Sequence, residues 1–463
     1  MKHSGFVITP LVAWPAVSLI VCAAPLSAQP AESPPGAIIY PAIINADGAP
    51  FSMAGDDRRV IVANTSQFTP SGADEYAIVF DRLTGEELHV FEPDRPIETT
   101  EYASAATLWE DLAFVSGRIR TDDGSRRGFV DVFDLNTGQR IDTLSAPGNE
   151  PGSGDSDRFG FYLEAAGGRL AVADPFAGYP GESSGQIVVY ALPDLTVLYE
   201  LNESNTTLET FATELALSDE HLVTIRGFPE DIGSTGASLL VFDAATGAQL
   251  AQANPVVDGE TITVFLGDLA VSDRYALAAN VNSSRGDQSA GEVYVFDLQQ
   301  LAFVSSFTPQ PPARSWSMGA GMAVQGSVAV VSSPQTQFVD ETGRIDVVSL
   351  PTGTVLNSIE AFERPDFSGF PAVERFGQAV ELAAGGVLVS SWYFFMSEGR
   401  VDWIPINELC PADSNRDGLL SLADLGAWII AYSEDEDLCD QNQDSACTPN
   451  DFNSWILNFN AGC

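Results

Sequence analysis

Lysine is almost absent from this chain. Of the 21 Lys and Arg residues, which face 64 Asp and Glu residues, only Lys2 is a lysine. Because no lysine follows it, the folded protein cannot form a Schiff base with a carbonyl substrate. The net charge of −43 disfavours nucleic acid and anionic membranes as partners. It indicates solubility in a saline environment, and the alternative is an electrostatic trap for cations or basic partners.

Histidine and cysteine are scarce as well. After residue 28 the only histidines are His89 and His221, which fall in different repeats. A His-based triad or metal site is therefore not expected, and no other pattern identifies a catalytic side chain. The four cysteines after residue 28 all lie within residues 410–463. The large N-terminal part must therefore be held together by its hydrophobic core alone.

Long apolar runs are confined to the N-terminus. Residues 1–28 have the pattern of a secretory signal peptide, with a basic start, an apolar stretch and the small Ala28 before the cleavage point. A retained membrane anchor is the alternative, although Pro10 and Pro15 interrupt such a span. No later apolar run reaches about 20 residues, so no transmembrane helix is expected after cleavage. We expect 29–36 to be a flexible lead-in and the protein to be extracellular or on the cell surface.

A unit of four short strands is repeated from residue 51 to residue 406. Each unit starts with an aromatic residue or a methionine that opens an apolar strand. The starts are Phe51, Tyr102, Phe159, Phe211, Phe265, Met318 and Phe376. This near-regular spacing predicts an all-β, seven-bladed β-propeller over residues 37–407, with a β-sandwich or a solenoid as alternatives.

The seventh unit is one strand short. We expect the isolated apolar stretch 37–44 to supply the outer strand of the last blade and close the ring. The alternative is that this stretch is a loose arm.

The units resemble the FG-GAP family of repeats, because Phe159-Gly160 and Phe376-Gly377 match its namesake dipeptide. The phrase VFDAATG at 241–247 is similar to quinoprotein-like propellers. The calcium loops of integrin-type members and the active-site pattern of quinone dehydrogenases have no counterpart in the propeller sequence. The resemblance therefore implies a scaffold for binding more than a catalyst.

Residues 410–463 contain two copies of a twelve-position loop, offset by 27 residues. Oxygen ligands at positions 1, 3, 5, 7, 9 and 12 of such a loop surround one hard cation. The first predicted set is Asp413, Asn415, Asp417, Leu419 (through its carbonyl), Ser421 and Asp424. The second is Asp440, Asn442, Asp444, Ala446 (through its carbonyl), Thr448 and Asp451. Ser445 replaces the turn glycine, Gly418, so we expect the second site to be weaker or strained.

Each copy continues into D-[LF]-x-x-W-I, and the tandem resembles a dockerin-like domain over residues 410–463. The resemblance implies a small α-helical module with calcium as cofactor and a cohesin-like or cell-surface protein as partner. The ending Gly462-Cys463 is similar to a subset of such domains in exported bacterial proteins, for which attachment or sorting is the expected role. A calcium-stabilised cap without a partner is the alternative.

Four cysteines in an exported module allow three pairings into two disulfides. We favour Cys410 with Cys463, which would clasp the ends of the module. The second pair, Cys439 with Cys447, would restrict the loop that lacks its glycine. A free Cys463 for covalent anchoring and a thiolate metal site are the alternatives, although the spacings fit no zinc pattern.

The sequence leaves three functions open. The first is an exported, non-catalytic propeller that binds a glycan or a protein and carries a calcium-dependent attachment module. The second is a secreted enzyme acting on polysaccharide, and the third is a structural surface protein. Carboxylates converging at one mouth of the ring, about 5–10 Å apart, would favour the enzyme. A mouth lined by unpaired Ser, Gly and scattered acids would favour binding. For a specific ligand, the variable loops 148–157 and 176–184 are better candidates than the repeated strands.

Overall fold

The computed structural model describes most of residues 50–405 and parts of the flanking segments. Between those limits it leaves out 65–75, 94–98, 122–123, 148–157, 178–184, 203–210, 228–236, 263, 286–289, 310–316, 335–342, 361–373, 384–385 and 394–397. Outside them it describes 38–39, 43–44, 412, 414, 422–434, 439, 441 and 447–461. The predicted signal peptide and lead-in lie outside the described residues.

The body of the molecule is built from antiparallel sheets, each formed mainly by four consecutive strands. Two short strands come first: β1 (Ile38–Ile39) and β2 (Ile43–Ile44). Blade 1 contains β3 (Pro50–Gly55), β4 (Arg59–Asn64), β5 (Tyr76–Asp81) and β6 (Glu87–Phe91). Blade 2 contains β7 (Thr99–Trp109), β8 (Leu112–Arg120), β9 (Arg126–Asp134) and β10 (Gln139–Leu144). Blade 3 contains β11 (Tyr162–Ala166), β12 (Arg169–Asp174), β13 (Gln186–Ala191) and β14 (Thr196–Asn202).

The second half of the chain repeats this pattern. Blade 4 contains β15 (Leu215–Leu217), β16 (His221–Arg226), β17 (Ser238–Asp243) and β18 (Gln249–Ala253), followed by a hairpin of β19 (Val256–Val257) and β20 (Glu260–Thr261). Blade 5 contains β21 (Leu269–Val271), β22 (Tyr275–Asn280), β23 (Glu292–Asp297) and β24 (Ala302–Phe307). Blade 6 contains β25 (Met322–Gln325), β26 (Val328–Ser333), β27 (Arg344–Ser349) and β28 (Thr354–Glu360). Blade 7 contains β29 (Glu374–Ala383), β30 (Gly386–Tyr393) and β31 (Glu398–Pro405).

The blades form a closed ring around a central channel. The first strand of each blade contacts the first strand of the next, and β29 contacts β3. This confirms the predicted seven-bladed β-propeller. Both β1 and β2 pair antiparallel with β31, with Ile38 opposite Trp403 and Ile43 opposite Gly399, so residues near the N-terminus supply the outer strand of blade 7. The guanidinium of Arg82, from blade 1, lies 4.8 Å from the Trp403 ring and joins the first blade to the last.

The hydrophobic core lies between neighbouring blades. The middle two strands of each blade are buried on both faces, which is why they read as continuous apolar runs. Between blades 2 and 3, for example, Phe114 and Val132 pack with Leu170 and Val188, all of them fully buried. The outer strands keep one face in solvent.

A glycine at the head of the third strand sets how closely two blades approach. The backbone of Gly185 lies against the backbone of Phe211, the aromatic residue that opens blade 4, so that an added Cβ would overlap its carbonyl. Gly128 meets Phe159 in the same way, and Gly291 meets Met318. Only glycine permits this contact, because every other side chain begins with a Cβ.

The Val-Phe-Asp turn makes a second joint between blades. The Asp243 carboxylate accepts the N–H of Thr246 at 2.8 Å, and Gly247 completes the turn at a φ of 70°. Tyr199 of blade 3 packs on Gly247 and donates its hydroxyl to the carbonyl of Ala244 at 2.7 Å. The turn therefore connects the outer strand of one blade to the next blade.

The outer strands of blades 1 to 6 each carry a one-residue β-bulge within the part that the structure describes. In blade 3, Val189 pairs with Tyr199 and Tyr190 with Val197, which leaves Leu198 without a partner. The bulged residue is aliphatic in every case: Leu88, Ile141, Leu198, Leu250, Val304 and Leu356. Bulges increase strand twist, so we interpret them as protection against edge-to-edge pairing.

Two helices follow the propeller in the chain: α1 (Leu422–Glu434) and α2 (Pro449–Ala461). They share a small core of Ala412, Trp428 and Trp455, against which Leu425 and Phe459 pack. Among the described residues, no helix is long and apolar enough to span a membrane, and this includes α1 and α2.

We expect Gly185→Ala to lower the free energy of unfolding by about 3 kcal/mol, because the methyl group meets the Phe211 backbone and the left-handed φ of 66° is strained. Gly168→Ala is the matched control in the same blade. Its φ is 70° and no atom lies within 4 Å of the added Cβ, so about 1–2 kcal/mol is expected. If urea denaturation shows the same loss of unfolding free energy for both variants, the contact between Gly185 and Phe211 does not add to the cost of the substitution.

Candidate functional site

Four carboxyl groups from different blades converge in the central channel. Counted from the aromatic residue that opens each blade, Glu214 and Asp268 are third, whereas Glu164 and Glu381 are fifth. Residues two apart on a strand share a face, so the third and fifth positions both point toward the channel. On β11 the intervening Leu163 points the other way, into the hydrophobic core.

These groups line a cavity of about 630 Å³ at one mouth of the ring. Hydroxyl, amide and aromatic groups complete its wall, among them Ser52, Ser104, Phe161, Tyr162 and Gln378. A smaller cavity of about 90 Å³ continues along the channel. Glu164, Asp268 and Glu381 line both cavities and therefore form the constriction between them.

Hydrogen bonds hold three of the four carboxyl groups, and that of Glu381 comes from the backbone N–H of Leu382. The Tyr162 hydroxyl donates to Oε1 of Glu214 at 3.1 Å. Asp268 accepts the N–H of Leu269 at 2.9 Å and that of Met322, from the next blade, at 2.6 Å. The backbone of two blades thus holds Asp268 in place.

Burial keeps protons on these carboxyl groups. It raises the pKa of Asp268 to about 7, against the opposing effect of the two backbone N–H donors. Burial, followed by the charge of Asp268, raises the pKa of Glu381 to about 8. The pKa values of Glu164 and Glu214 are raised well above the usual range, first by burial and then by neighbouring carboxylates. At neutral pH the cluster therefore retains protons and can both donate and accept hydrogen bonds.

Sequence reasoning missed this site because it regarded the repeated first strands as scaffold and favoured the loops. Loop 148–157 lies outside the described residues, as does most of 176–184. The available signal was an acid at the third or fifth position after the opening aromatic residue, where the equivalent blade 6 positions hold Gly321 and Ala323. Among the described residues, no group of three or more His, Cys, Asp or Glu is arranged to hold a metal ion.

Most of the predicted calcium ligands lie outside the described residues. The ligands outside them are Asp413, Asn415, Asp417, Leu419, Ser421, Asp440, Asn442, Asp444 and Ala446. Asp424 and Asp451, at position 12 of each loop, are fully buried in the first turns of α1 and α2. Buried carboxylates in an all-oxygen set suit a hard cation.

Asp451 also caps α2. Its Oδ2 accepts the backbone N–H of Thr448 at 2.7 Å and its hydroxyl at 3.0 Å, and its Oδ1 accepts the N–H of Gln441 at 3.0 Å. Thr448 is the N-cap residue, and its Oγ1 accepts the N–H of Asn450 at 3.3 Å, so Thr448 and Asp451 together form a capping-box arrangement. The sequence S-x-x-D at 421–424 repeats the T-x-x-D of 448–451. Position 12 therefore has a structural role in addition to its predicted metal-binding role.

Cys439 and Cys447 are joined in a disulfide with their Cα atoms 5.5 Å apart. This is one of the two favoured pairings. Cys410 and Cys463 lie outside the described residues.

No family model and no curated protein sequence matches this chain. Similar solved structures include BamB from Moraxella catarrhalis (12% identity, TM-score 0.40, 76% of this chain and 85% of that one) and the Dos1 propeller (14%, 0.41, 77% and 81%). Another is the β-propeller domain of the Trilobed protease from Pyrococcus furiosus, with 9% identity and a TM-score of 0.46 over 78% of this chain and 94% of that one. At such low similarity, the classification as a seven-bladed β-propeller rests on the sheets of this chain itself.

We expect Glu381→Gln to stabilise the protein at pH 8.5 but not at pH 4. The pKa of Glu381 rises from 4.5 to about 8 on folding, so the folded state binds more protons between these values and wild-type stability falls as pH rises through this window. Glutamine mimics the protonated acid and removes this loss. Thermal unfolding at both pH values measures it, with exposed Glu220→Gln as control. An equal effect of Glu381→Gln at both pH values would contradict the raised pKa of Glu381.

Proposed function

We propose that this chain is an exported, non-catalytic binding protein that takes a glycan segment into the acidic mouth of its propeller. The observation that carries this proposal is the cavity of about 630 Å³, which is lined by four carboxyl groups, hydroxyls and an aromatic ring from several blades. Its size is within the usual range for small-molecule sites.

The chemistry of the wall suits a polyhydroxylated ligand. Protonated carboxyl groups can donate hydrogen bonds to sugar hydroxyls and ionised ones can accept them, as can Ser52, Ser104 and Gln378. Phe161 also lines the cavity and adds apolar aromatic surface to its wall. Nucleic acid is disfavoured by the net charge of −43.

The C-terminal segment, in this proposal, is a calcium-dependent, dockerin-like module that attaches the protein to a cohesin-like or cell-surface protein. The exposed apolar residues on its helices support a protein partner, since Ile429 is 53% exposed, Ile430 57% and Ile456 37%. Residues 1–28 provide the export signal. The Cys439–Cys447 disulfide is consistent with an oxidising compartment. We also propose that the blades are related to FG-GAP-like repeats.

A hydrolase acting on glycosidic bonds is the second candidate. It is favoured by the convergence of Glu164, Glu214, Asp268 and Glu381, because such enzymes pair a protonated acid with an ionised one. The pKa values of about 7 for Asp268 and about 8 for Glu381 would keep a general acid protonated at neutral pH.

Calorimetric titration of the full-length protein with a panel of soluble oligosaccharides tests the binding site. We expect saturable binding that Glu164→Ala weakens about tenfold or more, because a half-buried hydrogen-bonding group in the channel is lost. Glu220→Ala, which removes an exposed acid, is the matched control and should bind like wild type. Release of new reducing ends would favour the hydrolase. Binding of cations alone, abolished by salt, would contradict the glycan proposal.

Attachment is tested by truncating the chain after Asn407. Cells that retain the full-length protein in calcium should release the truncated protein into the medium, because the attachment module is missing. A full-length Asp424→Asn, Asp451→Asn variant should be released too, since neutral amides bind calcium weakly. Unchanged retention of the truncated protein would contradict an attachment role.

A further inference from the structure

The two copies of the C-terminal module are related by an internal repeat that extends beyond the loops. Residues offset by 27 positions occupy equivalent places: Trp428 and Trp455 are each 4% exposed. Each tryptophan stacks on the aromatic residue four positions later, Trp428 on Tyr432 at 5.2 Å and Trp455 on Phe459 at 4.9 Å between ring centroids. The two helices therefore use their tryptophans in the same way.

The indole N–H groups, however, bond across the repeat. Trp428, in the first copy, donates to the carbonyl of Cys439 at 3.1 Å. Trp455, in the second copy, donates to the carbonyl of Ala412 at 3.0 Å and also approaches Oγ of Ser414 at 3.1 Å. Ala412 and Cys439 are the equivalent residues immediately before each twelve-position loop. Each helix thus holds the head of the loop in the other copy.

We infer that Trp428 and Trp455 are crossed positioning residues, which make the two copies one cooperative unit in which each helix orders the other copy's loop. All the groups involved are buried, so water does not readily replace a lost indole N–H. Loss of the Trp428 N–H removes a donor from the carbonyl of Cys439. Loss of the Trp455 N–H leaves the carbonyl of Ala412 with the longer bond from Oγ of Ser414, at 3.4 Å. The same crossing would transmit calcium binding from one copy to the other. That extension rests on the proposed calcium module, whereas the crossed contacts do not.

Hydrogen exchange of the full-length protein, followed by mass spectrometry in the presence of a chelator, tests the crossing. Trp455→Phe keeps the ring and removes the N–H, so it should speed exchange about five- to thirtyfold in residues 412–424. Trp428→Phe should do the same in residues 439–451. Each variant should leave the loop of its own copy much less changed.

Trp403→Phe is the matched control, because the Trp403 indole N–H has no hydrogen-bond partner among the described residues. It should leave both C-terminal segments unchanged. Should Trp455→Phe unfold the whole module, Ser414→Ala provides a milder probe. It removes the hydroxyl that the Trp455 indole approaches and that bonds the carbonyl of Ala412, and it should speed exchange in α2 but not in α1.

Faster hydrogen exchange only in the copy that carries the substitution, or equally faster exchange in both copies, would overturn the inference. Repeating the measurement in calcium separates it from the proposed function. If calcium leaves the wild-type exchange unchanged while the crossed pattern persists in chelator, the calcium module fails and the positioning role stands. If calcium protects the wild type, Trp455→Phe should reduce that protection in residues 412–424.

Discussion

The propeller depends on the closeness with which neighbouring blades meet at the head of each third strand. Where Gly185 lies against Phe211, and Gly291 against Met318, two backbones touch with no side chain between them. This contact lets the middle strands of adjacent blades bury both of their faces, which yields the interblade cores. The first strands of neighbouring blades contact each other around the closed ring, so their side chains share one channel.

Sharing one channel has an electrostatic consequence for the acids. Glu164 and Glu381 are more than 200 residues apart in the chain, yet the closed ring places them in the same constriction with Asp268. Carboxylates confined in this way repel each other, and the folded protein limits the repulsion by retaining protons and by directing backbone N–H groups at Asp268. A ligand that donates to or accepts from these groups would relieve the same repulsion, which is why the channel mouth is the best candidate site.

The C-terminal module shows how one residue can have two roles. The T-x-x-D sequence that suggests metal ligands at positions 9 and 12 also forms the capping box of α2, in which Asp451 accepts the backbone N–H of Thr448. These hydrogen bonds fix the Asp451 carboxylate without a cation. The crossed indole bonds then link the start of each loop to the helix of the other copy.

The sequence alone determined the repeat, the number of blades and the two-copy pattern at the C-terminus, because these follow from local strand periodicity, glycine turns and loop spacing. It also singled out 37–44 as a strand lacking a neighbour, and the structure pairs β1 and β2 with β31. Only the tertiary structure decided where the candidate site lies. The acids of the channel are single residues scattered over four repeats. Their positions after the opening aromatic residue indicate which face of the strand they occupy, but not that they meet. Ring closure alone brings them together and raises their pKa values, since both effects depend on contacts between residues far apart in sequence.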